Sequence, residues 1–88
     1  MKEIKNILIC GAGMMGKGLA QVFSACEDLN VTVHNRRERD IYGPIRQNLE
    51  QLRDKGIITD TEIEERLSRI TFTTDMESNA VKNADLVI

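Results

Sequence analysis

Aromatic residues are scarce in this sequence: it has no tryptophan, and tyrosine and phenylalanine together make up 3% of its 88 residues. Bound single strands of nucleic acid stack their bases on aromatic side chains, and the formal net charge of −2 provides no basic surface for phosphates. We therefore expect no nucleic-acid partner. The apolar runs are also much shorter than the about 20 residues that cross a bilayer, so we expect no membrane partner.

Cysteine and histidine are scarce as well, with two and one residues respectively. We predict no metal site and assign no catalytic residue. Cys10 is the last residue of a predicted buried strand and Cys26 lies on an apolar helix face, so both are predicted to be reduced packing residues of a cytoplasmic protein, although the sequence alone leaves a disulfide open. His34, within a predicted strand, is interpreted as structural. Residues 1–5 run directly into the first strand, so no signal peptide is expected.

A glycine-rich turn is the most informative stretch. The apolar run 7–9 predicts a buried strand within residues 4–10, and the spacing of apolar residues after the turn predicts a helix over 14–27. The packing stripe of that helix is predicted to comprise Met15, Leu19, Val22, Phe23 and Cys26, with Gly16 and Ala20 as a small-residue strip near the sheet.

The glycines of this turn form a G-x-G-x-x-G motif. The first glycine of such a motif permits a tight turn, the second leaves the backbone bare for a pyrophosphate, and the third lets the helix pack closely on its strand. The helix N-terminus adds a partial positive charge that attracts phosphates. The sequence therefore predicts a dinucleotide site formed by Gly11, Ala12, Gly13, Met14, Met15 and Gly16.

The end of the second predicted strand, residues 31–35, lies where a dinucleotide fold recognises the adenosine ribose. NAD-binding folds usually carry Asp or Glu there, whereas this sequence has neutral Asn35 followed by Arg36 and Arg37. Guanidinium groups suit phosphate oxygens and can stack on adenine. We therefore predict a preference for NADP(H), with NAD(H) as the alternative. The competing interpretation is a solvated charge cluster, since charges of both signs follow one another over 36–40.

The rest of the chain predicts two helices that form a helical hairpin. The first, at 40–55, has an apolar stripe of Ile41, Ile45, Leu49 and Leu52. The second runs from a capping box at 59–62, with 61–64 as the alternative start, to residue 68. A strand at 70–73, a brief helix at 76–81 and a fourth strand from residue 84 follow. The predicted fold is α/β, a Rossmann-type doubly wound parallel sheet, partial and truncated after strand four, with a helical-hairpin insertion. We expect residues 1–88 to be the N-terminal part of a dinucleotide-binding domain, without the rest of the sheet and a C-terminal catalytic and dimerisation domain.

Three segments resemble the N-terminal domain of the 3-hydroxyacyl-CoA dehydrogenase family, which includes the bacterial 3-hydroxybutyryl-CoA dehydrogenases. They are the glycine turn at 9–16, the hairpin bend at 55–59, and residues 70–75 with the apolar run 84–88. The resemblance implies reversible oxidation of a 3-hydroxyacyl-CoA to the 3-oxoacyl-CoA with hydride transfer to a nicotinamide. It also implies that Gly11, Gly13 and Gly16 hold the pyrophosphate and that the hairpin leans toward the CoA.

The same resemblance implies that a catalytic histidine–glutamate pair lies beyond residue 88, and that the full-length protein is a homo-oligomer acting on an acyl-CoA. The family usually has Asp at the position of Asn35 and uses NAD, so this departure fits an NADP-using member. Two alternatives remain at this point. One is a β-hydroxyacid dehydrogenase acting on a small free acid, which the hairpin disfavours. The other is a non-catalytic dinucleotide-binding module.

Overall fold

The structure, a computed structural model, describes residues 4–11, 13–75 and 79–88. Strands and helices alternate along most of the described chain, interrupted by two consecutive helices. In order they are β1 (Asn6–Cys10), α1 (Met14–Phe23), β2 (Asn30–His34), α2 (Tyr42–Asp54), α3 (Asp60–Ser68), β3 (Ile70–Thr73), α4 (Asn79–Lys82) and β4 (Leu86–Val87). The two consecutive helices, α2 and α3, are the predicted helical hairpin.

The four strands of the described residues form one parallel sheet in the order β3-β2-β1-β4. This order begins the doubly wound arrangement of a dinucleotide fold, so the predicted fold class is confirmed. The register pairs Cys10 at the end of β1 with His34 at the end of β2. The next amide, that of Gly11, donates to the His34 carbonyl at 2.7 Å. The glycine turn therefore starts beside the end of β2, as a shared dinucleotide site requires.

The main core lies between the sheet and helices α1, α2 and α3. Alternate residues of β1 and β2 point into it, as the two-residue period of a strand dictates, and α2 adds residues at helical spacing. Its buried members are Ile7, Ile9, Ala20, Val31, Val33, Ile41, Ile45, Leu49, Ile63, Leu67 and Ile70. The predicted stripe of the second helix is thereby confirmed, with Leu52 partly buried against the same cluster.

The packing face predicted for α1 is wrong in three of its five residues. Met15 and Val22 are 83% and 65% exposed, and Cys26 is exposed in the turn after the helix. The helix turns small residues toward the sheet, as predicted for Gly16 and Ala20, because a close approach leaves room only for a short side chain. These are Gly16, Ala20 and the fully buried Ser24, flanked by the half-buried Leu19 and Phe23.

Both cysteines are free and exposed, so the predicted burial of Cys10 and Cys26 is wrong and no disulfide joins them. The first helix is also shorter than predicted. It ends at Phe23 rather than at residue 27, because both oxygens of Ser24 accept hydrogen bonds from arginines. Arg66 of α3 donates to Ser24 Oγ, and Arg69, the residue after α3, donates to the Ser24 carbonyl oxygen. Cys26 consequently lies beyond the helix rather than on its inner face.

Strands β1 and β4 are shorter than predicted. The Asp85 carboxylate accepts the backbone N–H groups of Lys5 and Asn6, both at 3.0 Å, so β1 begins at Asn6 rather than at residue 4. β4 starts only after Asp85 and comprises two residues, with Leu86 and Val87 exposed along the edge. The brief helix is observed at Asn79–Lys82; residues 76–78 of the predicted helix lie outside the described chain.

The opposite edge of the sheet, β3, is closed by a side chain that the sequence did not single out. The Tyr42 hydroxyl donates to the Ile70 carbonyl at 3.2 Å and accepts from the Phe72 N–H at 3.0 Å. Both groups point away from β2. One phenol therefore satisfies two polar groups of an edge strand that would otherwise invite pairing with another chain.

Candidate functional site

The glycine turn joins β1 to α1, and each motif glycine described has a distinct environment. Gly11 has φ = +103°, a left-handed conformation that side chains strain. A β-carbon at Gly13 would meet nothing within 4 Å, so the space above it is open. A β-carbon at Gly16 would overlap the Gly11 carbonyl oxygen and lie 3.5 Å from the Ile9 side chain. The turn is thus tight at its start, bare in its middle and closely packed at its end.

The N-terminus of α1 differs from that of α3 in its capping. Gly13 is the N-cap of α1, none of the described side chains caps it, and no acidic residue lies in the first turn. In α3 the Thr59 hydroxyl accepts from the Glu62 N–H at 3.2 Å, as the capping box predicts, and two carboxylates occupy the first turn. Because the first N–H groups of a helix lack intrahelical acceptors, α1 presents donors and a positive dipole end to an incoming anion.

Of the other residues predicted for this turn, Met14 is the first residue of α1. The side chain of Met15, the second residue, lies in solvent instead of packing against the core. Ala12 lies outside the described residues. The structure therefore places Gly11, Gly13 and the first turn of α1 next to one another, with open space beside Gly13.

The segment after β2 lies beside this turn. β2 ends at His34, one residue earlier than predicted, and the Asn35 amide nitrogen Nδ2 donates to the Arg37 carbonyl at 2.7 Å. This bond turns the chain out of the sheet. Arg36 and Arg37 are both exposed, and within the described parts of the chain neither guanidinium forms an ion pair or hydrogen bond. Two unpaired guanidinium groups thus follow the strand end at which a dinucleotide fold recognises the ribose.

His34 is only 8% exposed, and its Nε2 has no hydrogen-bond partner within the described structure. His34 lies inside β2 as predicted, and its structural role stays a prediction. No group of three or more His, Cys, Asp or Glu residues suited to a metal ion occurs among the residues described.

A buried arginine is the most substantial feature that sequence reasoning missed. Arg66 of α3 is only 7% exposed. Its Nε donates to Ser24 Oγ at 3.1 Å and its Nη2 donates to the Gln21 carbonyl at 2.7 Å. The signal was present in the sequence, because position 66 lies at helical spacing from Ile63 on the face that α3 buries. A cation in such a stripe indicates a buried polar partner.

The outer surface of the hairpin carries ion pairs that hold its two helices together. Arg46 of α2 contacts Glu64 of α3 at 2.6 Å, and Arg53 contacts Asp60 at 2.8 Å. The hydrogen bond from Arg46 lowers the pKa of the Glu64 carboxyl below its usual value. These groups are exposed, so we assign them a small share of stability.

The family of the chain follows from comparison with known proteins. The sequence model of the family described as "3-hydroxyacyl-CoA dehydrogenase, NAD binding domain" matches residues 6–88. The chain belongs to this family. The resemblance found in the glycine turn, the hairpin and the last strands is thereby confirmed, and the chain is an NAD-binding domain of the 3-hydroxyacyl-CoA dehydrogenases.

Individual relatives agree. A probable 3-hydroxybutyryl-CoA dehydrogenase of Deinococcus radiodurans is 40% identical over 83 residues, covering 91% of this chain and 28% of the relative. The 3-hydroxybutyryl-CoA dehydrogenase of Mycobacterium tuberculosis is 36% identical over 88 residues, covering 97% and 30%. The crystal structure of (S)-3-hydroxybutyryl-CoA dehydrogenase from Ralstonia eutropha superposes with a TM-score of 0.86 at 27% identity, over 97% of this chain and 30% of that one.

The chain thus spans under a third of the length of these relatives.

None of the helices within the described residues is long and apolar enough to cross a membrane.

Proposed function

We propose that this chain is the cofactor-binding part of an oxidoreductase that interconverts 3-hydroxyacyl-CoA and 3-oxoacyl-CoA, and that it favours NADP(H) over NAD(H). The observation that carries the proposal is the glycine turn. It combines a left-handed Gly11, an open space above Gly13 and an uncapped N-terminus of α1. The names of the relatives support the acyl-CoA substrate class.

A bound dinucleotide would lie across this turn. The pyrophosphate would occupy the open space above Gly13, where the first N–H groups of α1 would donate to its oxygens and the helix dipole would attract its charge. Gly16 would keep α1 close enough to β1 for those N–H groups to converge. When bound, the nicotinamide supplies the hydride acceptor or donor of the reaction. We assign no catalytic residue to these 88 residues, so we expect binding without turnover from the chain alone.

The proposed preference for NADP(H) depends on the segment after β2. A carboxylate at its first position would repel a 2′-phosphate, and Asn35 carries no charge. Arg36 and Arg37 are exposed, and no carboxylate in the described chain pairs with them. Both guanidinium groups therefore remain available to a phosphate, which Arg binds in a bidentate manner. Homo-oligomerisation of the full-length protein and its cytoplasmic location stay predictions.

The test is a double variant, Arg36→Ala with Arg37→Ala, titrated with NADPH and NADH. Loss of phosphate contacts worth about 1.5–3 kcal/mol would weaken NADPH roughly 10- to 150-fold, with much less effect on NADH. The matched control is Arg46→Ala with Arg53→Ala, which removes the same charge from the exposed hairpin. It should leave both affinities nearly unchanged. Equal losses for NADPH and NADH in the first variant would refute the proposed preference.

A further inference from the structure

The last turn of α1 is held by side chains from both helices of the hairpin. Arg66 donates to the Gln21 carbonyl and to Ser24 Oγ, and Arg69 Nη1 donates to the Ser24 carbonyl at 2.7 Å. From α2, Asn48 Nδ2 donates to Gln21 Oε1 at 3.0 Å. The carbonyl groups at a helix C-terminus lack intrahelical donors and carry the negative end of the dipole. Two arginines therefore satisfy this end of α1 both as donors and as charges.

Burial makes Arg66 the central member of this group. Ser24 is fully buried and Arg66 nearly so, and within the described chain no carboxylate neutralises the guanidinium. A buried cation destabilises the fold unless oxygen atoms accept its hydrogen bonds. Loss of the bond from Arg66 to the Gln21 carbonyl would therefore destabilise the folded chain. These bonds tie the last turn of α1 to α3.

The first turn of α1 lies close to the glycine turn, because Gly16 approaches the Gly11 carbonyl oxygen too closely to leave room for a β-carbon. α1 has ten residues, so about 15 Å separates its two ends. A helix that is held at both ends has a defined orientation relative to the sheet. If the hairpin end were released, the helix could pivot about Gly16, and the N–H groups at its start would change direction. Hydrogen bonds weaken steeply when donor and acceptor are misaligned.

We propose that Arg66 is a positioning residue of the dinucleotide site, which acts through α1 to direct the N-terminal N–H groups at the pyrophosphate. This inference rests on the proposed function. It also makes the hairpin and the cofactor turn two coupled elements, because any coupling of binding free energies is reciprocal. Binding of a dinucleotide at one end of α1 would then stabilise docking of the hairpin at the other.

The experiment compares Arg66→Met, Arg66→Lys and a control, Arg46→Met, in the 88-residue chain. Methionine keeps the apolar stem of Arg66 and removes its donors, whereas lysine keeps the charge but places its N–H donors on one nitrogen instead of the planar fork of the guanidinium. Arg46 lies on the same hairpin and pairs with Glu64 rather than with α1. All variants are titrated at a temperature where circular dichroism shows them folded.

Two probes separate positioning from general loosening. NADPH needs the pyrophosphate turn, whereas 2′-AMP carries adenine, ribose and the 2′-phosphate without a pyrophosphate. We expect Arg66→Met to weaken NADPH roughly tenfold, within the usual range of coupling between sites, and to change 2′-AMP less than about twofold. Arg66→Lys should lie between wild type and Arg66→Met for NADPH, and Arg46→Met should match wild type.

Unchanged NADPH affinity in a folded Arg66→Met chain would overturn the inference while leaving the proposed function intact. Equal weakening of NADPH and 2′-AMP would also overturn it, because that is the effect of a merely structural residue. Failure of the wild-type chain to bind NADPH or NADH would refute the proposed function and the inference together. If Arg66→Met does not fold, hydrogen exchange on the wild type decides. NADPH should slow exchange in the last turn of α1 and in α3, and unchanged exchange there would contradict the coupling.

Discussion

Replacing Gly16 by alanine should destabilise the chain, whereas the same change at Gly18, two residues along α1, should stabilise it. Alanine gains about 1 kcal/mol over glycine inside a helix, and this gain applies to both positions. At Gly18 the new β-carbon meets nothing within 4 Å. At Gly16 it would overlap the Gly11 carbonyl oxygen. The two variants therefore differ only in whether the helix has room.

The cost at Gly16 lies at the upper end of the range for overpacking, about 3 kcal/mol. The obstructing atom is backbone, and Gly11 is held by its positive φ and by its N–H bond to the His34 carbonyl. Subtracting the helical gain leaves a net loss of about 2 kcal/mol. In a domain of this size 1 kcal/mol shifts Tm by about 4–8 °C. Gly16→Ala should thus lower Tm by roughly 8–16 °C, and Gly18→Ala should raise it by roughly 4–8 °C.

Thermal unfolding followed by far-ultraviolet circular dichroism measures both shifts, and urea unfolding checks their sign. The helical gain cancels in the difference between the two variants, which should be about 3 kcal/mol. A Tm for Gly16→Ala equal to or above that of wild type would refute the reasoning. It would mean that α1 does not approach the turn as closely as described.

Two further changes test the turn and the sheet edge. Gly13→Val should abolish dinucleotide binding, because its side chain would fill the open space, while the melting curve stays close to wild type; retained binding of NADPH by the folded variant would place the pyrophosphate elsewhere. Tyr42→Phe removes a hydroxyl with two backbone partners, Ile70 and Phe72, and should cost about 0.5–1.5 kcal/mol in urea unfolding; a midpoint equal to that of wild type would show that water replaces the phenol at this edge.

Local patterns predicted the fold well wherever one physical requirement dominates. The buried strands, the stripe of α2 and the Thr59 cap each follow from residue type and spacing, and all three were observed. The glycine turn was predictable for the same reason. The positive φ at Gly11 and the close contact at Gly16 disfavour any residue with a side chain at these two positions. Whether these residues hold a dinucleotide stays a prediction.

Features that depend on distant segments were not predictable in this way. The inner face of α1 was predicted from its hydrophobic residues together with the small residues Gly16 and Ala20. Ala20 is buried as predicted, but the buried Ser24 was not foreseen, and Met15 and Val22 lie in solvent. The partners of Ser24 are 42 and 45 residues away along the chain. The early end of α1 and the burial of Arg66 are therefore consequences of tertiary contacts, which helical periodicity does not report.

The most direct test of the proposed cofactor preference is a paired calorimetric titration of the wild-type chain with NADPH and NADH at one salt concentration. The glycine turn predicts binding of both dinucleotides. Arg36 and Arg37, which have no partner among the residues that the structure describes, predict NADPH as the tighter ligand. Tighter binding of NADH would contradict the proposed role of Arg36 and Arg37. Binding of neither dinucleotide to a chain that circular dichroism shows to be folded would contradict the proposed site itself.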